Sequence, residues 1–174
     1  LDTPTAGPGS FPQYMVSEFA SRSVKVVLGG QGGDEIFGGY TRYLIAYLEQ
    51  CLAAAIDGSY DDGRFVVTLE SIIPNLGILK EYKPTLKKFW SNNLFAPLEE
   101  RYFDLLDRSP DFAGVLGDEV VNRSRLYSSF LDSFHAPGSV RKEAYLDSMM
   151  RFDFKNLLPA LLQVEDRMSM AHGL

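Results

Sequence analysis

The length, composition and charge of the chain exclude several classes of protein. It has 174 residues, of which 45% are hydrophobic and 23% are charged, and these proportions are ordinary for one globular domain. The net charge of -6 argues against a nucleic-acid surface, because such surfaces are normally basic. No apolar run is long enough to cross a membrane, and no signal peptide is visible. Cys51 is the only cysteine, so we expect no disulfide framework, no thiolate metal cluster and a reducing, cytoplasmic setting.

The N-terminal part of the chain is predicted to form a helix followed by a strand. Ser10 is the expected N-cap of a helix that ends near Arg22, and its apolar stripe contains Phe11, Met15 and Phe19. The apolar and largely β-branched run at 24–28 then predicts one short buried strand. This order is typical of the last crossover in a parallel α/β sheet. The other strands of that sheet are expected to lie outside this chain.

A glycine-rich stretch follows the predicted strand, and residues 29–40 read G-G-Q-G-G-D-E-I-F-G-G-Y. Four glycines in the first five positions predict a tight turn where the backbone approaches another group closely. A strand, a glycine turn and a helix start can direct backbone N–H groups at an anion. Asp34 and Glu35 favour a divalent cation beside that anion.

The alternative is that these glycines only reverse the chain and that the acids only cap a helix. The second glycine pair, Gly38 and Gly39, favours a functional site, because it breaks a new helix without an obvious packing gain.

The rest of the chain is predicted to be helical, with turns between the helices. Pro74, Gly77 and Pro84 are expected to break it into short pieces. The basic cluster at 80–88 is interpreted as a solvated face. The predicted helices cover 41–55, 98–106, 117–134, 140–152 and 158–170. Residues 64–73 fit a helix or a strand, because 65–69 have β propensity, and the helical context favours a helix. The residues expected to face the core from the helix at 41–55 are Leu44, Tyr47, Leu48, Cys51, Leu52 and Ala55.

Two stretches resemble hallmarks of one enzyme family. The glycine-rich stretch, extended to Tyr43, resembles the pyrophosphate- and substrate-binding segment of glutamine-dependent asparagine synthetases, whose usual form is S-G-(Q/E)-G-(G/S/A)-D-E-(L/I)-F-G-G-Y. Residues 165–174, which read E-D-R-M-S-M-A-H-G-L, resemble a second hallmark of that family. Two separate motifs in the expected order make the match specific. The resemblance covers the whole chain, strongly at these motifs and weakly between them.

The resemblance implies an α/β family fold of the adenine nucleotide alpha hydrolase-like, ATP-pyrophosphatase type. This fragment of the fold is expected to be mostly α-helical, with the one short strand near 24–28. Residues 1–174 would then be part of the synthetase domain. The upstream ATP motif S-G-G-x-D-S and the N-terminal glutaminase domain are absent from the sequence, so the fragment by itself is expected to be inactive.

The implied reaction is the ATP-dependent conversion of aspartate to asparagine. The side-chain carboxylate of aspartate attacks the α-phosphate of ATP-Mg²⁺ to give β-aspartyl-AMP and pyrophosphate. Ammonia, released from glutamine in a separate domain, then forms the amide. The implied substrates are therefore aspartate, ATP and ammonia, and the implied cofactors are ATP and Mg²⁺.

The resemblance also assigns residues to these steps. Gln31 and Arg167 are the candidate catalytic residues, and Arg167 is expected to face the nucleotide phosphates, oriented by Asp166. Some family members have Glu at the position of Gln31; a glutamine cannot act as a general base but can orient substrate. Asp34 is the expected Mg²⁺ ligand. The expected pyrophosphate- and ATP-binding residues are Gly30, Gly32, Gly33, Asp34, Glu35 and Arg167.

Two alternatives remain open. The same family fold serves other adenylating, amide-forming synthetases with different acid substrates, although the intact D-E-I-F-G-G-Y favours the asparagine type. The other alternative is a non-catalytic helical interaction domain. The sequence also leaves open whether the protein is a homodimer.

Overall fold

The computed structural model describes residues 8–59, 67–112, 114–117, 120–135 and 145–174. Within these ranges the chain is mostly helical, as predicted. Short 3₁₀ segments cover Ile73–Tyr82 and Ser109–Phe112. The α-helices are α1 (Ser10–Ser21), α2 (Gly33–Phe37), α3 (Thr41–Asp57), α4 (Leu69–Ile72), α5 (Lys83–Trp90), α6 (Leu98–Leu106), α7 (Arg123–Phe134), α8 (Tyr145–Asn156) and α9 (Leu158–Met170).

The chain divides into two compact units. The first unit combines Leu1–Gly39 with Phe152–Leu174, and the second unit is Tyr40–Arg151. The boundary between them falls within α8. None of the described helices has the length and apolarity that a membrane crossing requires.

In the first unit, α1 packs against α9. The predicted helix is present, but Ser10 is its first residue and not its N-cap, because Gly9 holds the capping position. The ring of Tyr14 meets the ring of His172 edge-on, with 4.4 Å between the centroids. The predicted stripe of α1 stays largely exposed: Phe11 and Phe19 both lie at the surface. The α1–α9 contact therefore uses a different face of α1.

The prediction of a strand at 24–28 is wrong for the described chain, which contains no β-strand. Residues 24–28 are irregular and exposed, and Leu28 reaches 95% exposure. A strand is stable only when its backbone groups pair with a neighbouring strand. No described segment offers that pairing, so the β propensity of the valines has no effect here.

The second unit is built around α3, which contacts α4 and α6. Tyr47, Leu48 and Cys51 are buried, as predicted, whereas Ala55 is exposed and that prediction is wrong. The reason is that other segments cover α3 on more than one face, so its buried residues do not form a single stripe. The last turn of α3 extends beyond these segments and is exposed. The buried residues of α3 are Tyr43, Ile45, Ala46, Tyr47, Leu48, Glu49, Gln50, Cys51 and Ala54.

Cys51 is an inert part of this core. Its thiol has no exposed surface. Burial, with a smaller contribution from the negative charge of Glu70, raises the pKa of Cys51 to about 12. Because the thiolate is the reactive form, this cysteine is a packing residue.

A buried ion pair joins α3 to α6. The Nε and Nη2 atoms of Arg101 donate to the two carboxylate oxygens of Glu49 at 2.6 and 2.7 Å. Arg101 also donates to the carbonyl oxygens of Asn92 at 2.6 Å and Phe89 at 2.7 Å. The backbone N–H of Phe95 donates to Glu49 at 3.1 Å. Both charges are therefore satisfied by hydrogen bonds inside the unit.

A second charged group links α6 to α7. Arg123, in the first turn of α7, donates to Asp104 at 2.5 Å and to Asp107 at 3.0 Å. Burial by itself would raise the pKa of Asp107, but hydrogen bonds from Ser109 and Arg123 hold that pKa below its usual value. Asp107 is therefore ionised in the folded state at neutral pH.

The segment from α4 to α5 is divided into short pieces at Pro74 and Pro84, as predicted, whereas Gly77 lies inside the 3₁₀ segment and does not break it. The 3₁₀ segment follows α4 directly and α5 follows the 3₁₀ segment directly, with Pro74 and Pro84 in their first turns. Proline is tolerated there because the first N–H groups of a helix have no intrahelical partner. The lysines of the basic cluster (Lys80, Lys83, Lys87 and Lys88) are exposed, in agreement with a solvated face.

The other predicted helices are present with changed boundaries or partial coverage. The helix predicted from 117 begins at Arg123, where Asn122 caps it by accepting from the N–H of Arg125 at 3.0 Å. The helix predicted at 64–73 is described only as α4, and the helix predicted at 140–152 only from Tyr145. Residues 60–66 and 136–144 lie outside the described ranges. The predictions for α6 and α9 are confirmed.

Candidate functional site

The first unit contains the C-terminal motif and residues 29–39 of the glycine-rich motif. A side chain at Gly29 would collide with the carboxylate of Glu165 on α9. At Gly32, an added Cβ would lie 3.5 and 3.6 Å from the methyl groups of Leu158, in the first turn of α9. Helix α9 thus lies along the glycine turn, and Glu165 is the residue of the C-terminal motif that approaches it.

The glycine turn has the tight geometry that the sequence predicts. Gly32 has a φ of 92°, which glycine adopts without the steric cost that a Cβ imposes. The N–H of Gly33 donates to the carbonyl of Gly30 at 3.2 Å, and the N–H of Ile36 donates to Gly32 at 3.0 Å. Apart from chain neighbours and the backbone of α2, no atom of the described residues lies within 4 Å of a Cβ built at Gly30 or Gly33. The backbone on this side of the turn is therefore open to a ligand.

The second glycine pair has a structural reason that the sequence argument did not find. Gly38 ends α2 with a φ of 72°, and the N–H of Gly39 donates to the carbonyl of Asp34 at 2.9 Å. A Cβ at Gly39 would collide with the Asp34 carboxylate and lie 3.2 Å from Asp34 Cα. The pair lets the chain fold back against Asp34, so the prediction that it brings no packing gain is wrong.

The two carboxylates of the turn lie in different environments. Asp34 is exposed beside Gly39, whereas Glu35 is only 2% exposed. Neighbouring helical residues point in different directions, so one carboxylate faces the surface and the other the interior. Within the described ranges, no three His, Cys, Asp or Glu residues are arranged to hold a metal ion. One exposed carboxylate does fit Mg²⁺ bound mainly by phosphate oxygens and water.

The remaining predicted site residues lie at the surface of the first unit. Arg167 and Asp166 are adjacent on α9, with side chains 51% and 64% exposed. Arg167 Nε lies 3.9 Å from Asp166 Oδ2, a distance at which an exposed ion pair contributes little. The orienting contact expected between them is therefore weak. Gln31 is exposed in the turn.

Sequence reasoning missed the contact between Glu165 and Gly29. The only signal in the sequence was the number of glycines in the turn. It indicates that another group lies close to the backbone, but it does not identify that group. His172 lies in the C-terminal motif and is typical of a structural histidine, since a lone histidine without a ligand partner at metal spacing is more often structural. Its Nε2 atom is buried and has no hydrogen-bond partner among the described residues, and its ring packs on Tyr14.

A model of the family described as "Asparagine synthase" matches residues 1–174, so the chain belongs to the asparagine synthase family. This match extends over both units and contains both motifs. The family resemblance that the two motifs indicate is therefore confirmed. No solved structure matches the chain.

Curated relatives match the chain over short stretches. A protein of Methanocaldococcus jannaschii, provisionally named asparagine synthetase (glutamine-hydrolyzing) 2, is 52% identical over 46 residues, which are 26% of this chain and 9% of the relative. A protein of Mycobacterium tuberculosis H37Rv with the same kind of provisional name is 54% identical over 43 residues, 25% of this chain and 7% of the relative. Asparagine synthetase (glutamine-hydrolyzing) 1 of Bacillus subtilis is 48% identical over 43 residues, with the same coverage. The chain thus matches less than a tenth of the length of each of these relatives.

Proposed function

We propose that this chain is part of an ATP-dependent ligase that converts aspartate to asparagine through β-aspartyl-AMP, with ammonia derived from glutamine. The observation that carries the proposal is the close approach of Glu165, in the C-terminal motif, to Gly29 in the glycine turn within one compact unit. Residues that bind one substrate must lie close together in space, and this approach meets that requirement. The names of the relatives support the same reaction.

The glycine turn is the part of the chain that receives the pyrophosphate of ATP. A side chain at Gly30 or Gly33 would meet open space, and N–H groups at the start of a helix that the turn itself does not use can donate to a ligand. Such N–H groups stabilise phosphate oxygens by direct donation. Gly32 contributes by its left-handed backbone conformation, which shapes the turn.

Asp34 is the residue that would hold Mg²⁺ against the pyrophosphate. The ion, when bound, neutralises negative charge on the leaving group. Asp34 is suited to this because its carboxylate is exposed at the turn and is positioned by the close approach of Gly39. The carboxylate of Glu35 is buried and supports the turn from inside, so any contribution of Glu35 to phosphate binding comes from its backbone.

Arg167 and Gln31 would complete the site. Arg167 projects from α9 with half of its side chain exposed, so its guanidinium can reach phosphate oxygens and bind them with two parallel hydrogen bonds. Gln31 lies in the turn itself and carries both a donor and an acceptor. Its carboxamide orients substrate and does not take up a proton.

The test uses Asp34→Asn in the complete polypeptide that contains this chain. The substitution keeps the size of the side chain but removes the charge that attracts the cation. We expect aspartate-dependent pyrophosphate release to fall about 10²–10³-fold, the usual effect of losing one such electrostatic contact. Glutamate release from glutamine should continue at the wild-type rate, because that activity is expected in a separate domain.

Both products are measured in the same reaction mixtures, and glutamate release shows that the loss is confined to the synthetase reaction. Far-ultraviolet circular dichroism of the variant and the wild-type protein is the control for folding. Pyrophosphate release near the wild-type rate would show that Asp34 is only a helix-capping residue. If the wild-type protein releases pyrophosphate with another carboxylic acid and not with aspartate, the proposal of asparagine formation is wrong. The protein would then catalyse a different amide-forming reaction.

A further inference from the structure

The carboxylate of Glu165 is the one acidic group of the C-terminal motif that reaches the glycine turn. It occupies the space where any side chain at position 29 would begin, so its location depends on the absence of a Cβ at Gly29. Glu165 lies in the last half of α9, the helix whose first turn meets Gly32 through Leu158. The carboxylate is therefore held at a defined place beside the turn, two residues before Gln31.

This carboxylate has no partner in the part of the chain that the structure describes. No hydrogen bond or ion pair to Glu165 occurs among the described residues, and its side chain is half-buried. A carboxylate that is partly removed from water normally accepts hydrogen bonds from neighbouring donors. Glu165 is therefore available to a donor or a cation supplied by a ligand.

The other ionisable groups of the two motifs are engaged elsewhere. Asp34 lies against the second glycine pair and faces solvent, and Glu35 is buried with a contact of its own. Asp166 is directed toward Arg167. His172 packs on an aromatic ring of α1.

Amide formation requires a group that accepts a proton. Ammonia has a lone pair but carries three protons, and the amide product retains only two of them. Gln31, which is in the turn, has no basic site on its carboxamide. A positioned carboxylate can serve as the general base in such a step.

We propose that Glu165 is the proton acceptor of the amide-forming step; this assignment rests on the proposed function. The ammonia nitrogen forms a C–N bond to the β-carbonyl carbon of β-aspartyl-AMP. The C–O bond to AMP breaks, and its electron pair leaves on the AMP phosphate. The Glu165 carboxylate takes one proton from the attacking nitrogen, and asparagine and AMP are the products.

The experiment separates the two half-reactions in the complete polypeptide that contains this chain. Without a nitrogen source, rapid mixing with ATP-Mg²⁺ and aspartate is expected to give a burst of pyrophosphate, which reports adenylate formation. Added ammonium chloride then allows asparagine formation. For Glu165→Gln, we expect the burst to be unchanged and asparagine formation to fall about 10²–10⁴-fold, the range for loss of a general base.

Three further variants sharpen the test. Glu165→Asp keeps a carboxylate and should recover part of the rate. Gly29→Ala places a Cβ in the space of the carboxylate and should reproduce the selective loss of amide formation. Glu18→Gln is the matched control, because Glu18 forms only a surface ion pair with Arg22 in α1. Both of its half-reactions should proceed at the wild-type rate.

Two results would overturn the assignment. One is wild-type asparagine formation by Glu165→Gln. The other is an equal loss of the burst and of asparagine formation, which would assign Glu165 to nucleotide binding or folding. The proposed function fails in a different way, because the wild-type protein would then give no aspartate-dependent burst at all.

Discussion

At the scale of single residues, the most deeply buried ion pair in the described chain is that of Glu49 and Arg101. Both side chains are almost completely removed from solvent. The Arg101 guanidinium also lies 3.7 Å from the centroid of the Phe89 ring. Burying two charges is costly, and the cost is offset here because the carboxylate and the guanidinium each have several hydrogen-bond partners.

Removing one member of this pair should therefore destabilise the second unit strongly. Arg101→Ala leaves the Glu49 carboxylate buried without its counter-charge. We therefore expect the free energy of unfolding to fall by about 3–5 kcal/mol. Urea denaturation of the purified 174-residue chain, followed by far-ultraviolet circular dichroism, measures the difference.

The matched control is Arg108→Ala. Arg108 pairs with Asp111 at 3.8 Å, but both side chains are well exposed, and such pairs contribute about 0–1 kcal/mol. A double variant, Glu49→Leu with Arg101→Met, should recover much of the stability because it removes both charges. If Arg101→Ala and Arg108→Ala had equal effects, the buried pair would not hold α3 to α6.

At the scale of elements, the short helix α2 lies between two glycines whose backbones have the left-handed conformation. Gly32 precedes α2 and Gly38 follows it, and α2 itself has five residues. A helix this short has little stability of its own. The backbone conformations of these two glycines therefore determine whether the turn keeps its shape.

Two adjacent alanine substitutions test this account. Gly32→Ala places a residue with a Cβ at a position whose backbone is left-handed. We expect this to lower the free energy of unfolding by about 1–2 kcal/mol. Gly33→Ala is the comparison, because Gly33 lies in the helix with open space at its Cβ position. That substitution should be neutral or stabilise by about 0.4–1 kcal/mol.

Amide hydrogen exchange at residues 33–37 measures both changes locally. Faster exchange is expected in Gly32→Ala and not in Gly33→Ala. Equal exchange in the two variants would show that the turn has no fixed conformation and that the glycines provide only flexibility.

At the scale of the whole molecule, several large apolar side chains of the first unit are exposed, among them Phe11 and Phe19 on α1 and Leu28 before the turn. The family match spans the chain, whereas the chain matches less than a tenth of each curated relative described above.

This comparison leads to a prediction about nucleotide binding. The motif S-G-G-x-D-S, which the family resemblance assigns to ATP, does not occur among the 174 residues. We therefore expect the 174-residue chain to bind ATP-Mg²⁺ weakly or not at all in a calorimetric titration. The complete polypeptide, titrated under the same conditions, is the positive control. Micromolar affinity of the short chain would show that the glycine turn and α9 form the nucleotide site unaided.

The sequence by itself determined the family and most of the helices. Helices α3, α6 and α9 were predicted close to their observed bounds, because apolar periodicity and capping residues act over a few neighbouring positions. The two motifs identified the family, because their residue types and order are specific. The tight turn at Gly32 was also predictable, since four glycines in five positions suit few other conformations.

The tertiary structure alone decided the contacts between distant residues. The prediction of a strand at 24–28 was wrong because a strand needs a neighbouring strand to pair with. Local β propensity contains no information about whether such a strand is present. The burial of Glu49 depends on Arg101, which follows it by many residues, so no local pattern indicates it. The contact of Glu165 with Gly29 likewise forms only when α9 packs along the turn. Local propensities act between neighbours in sequence, whereas burial, ion pairing and close approach depend on which segments meet in space.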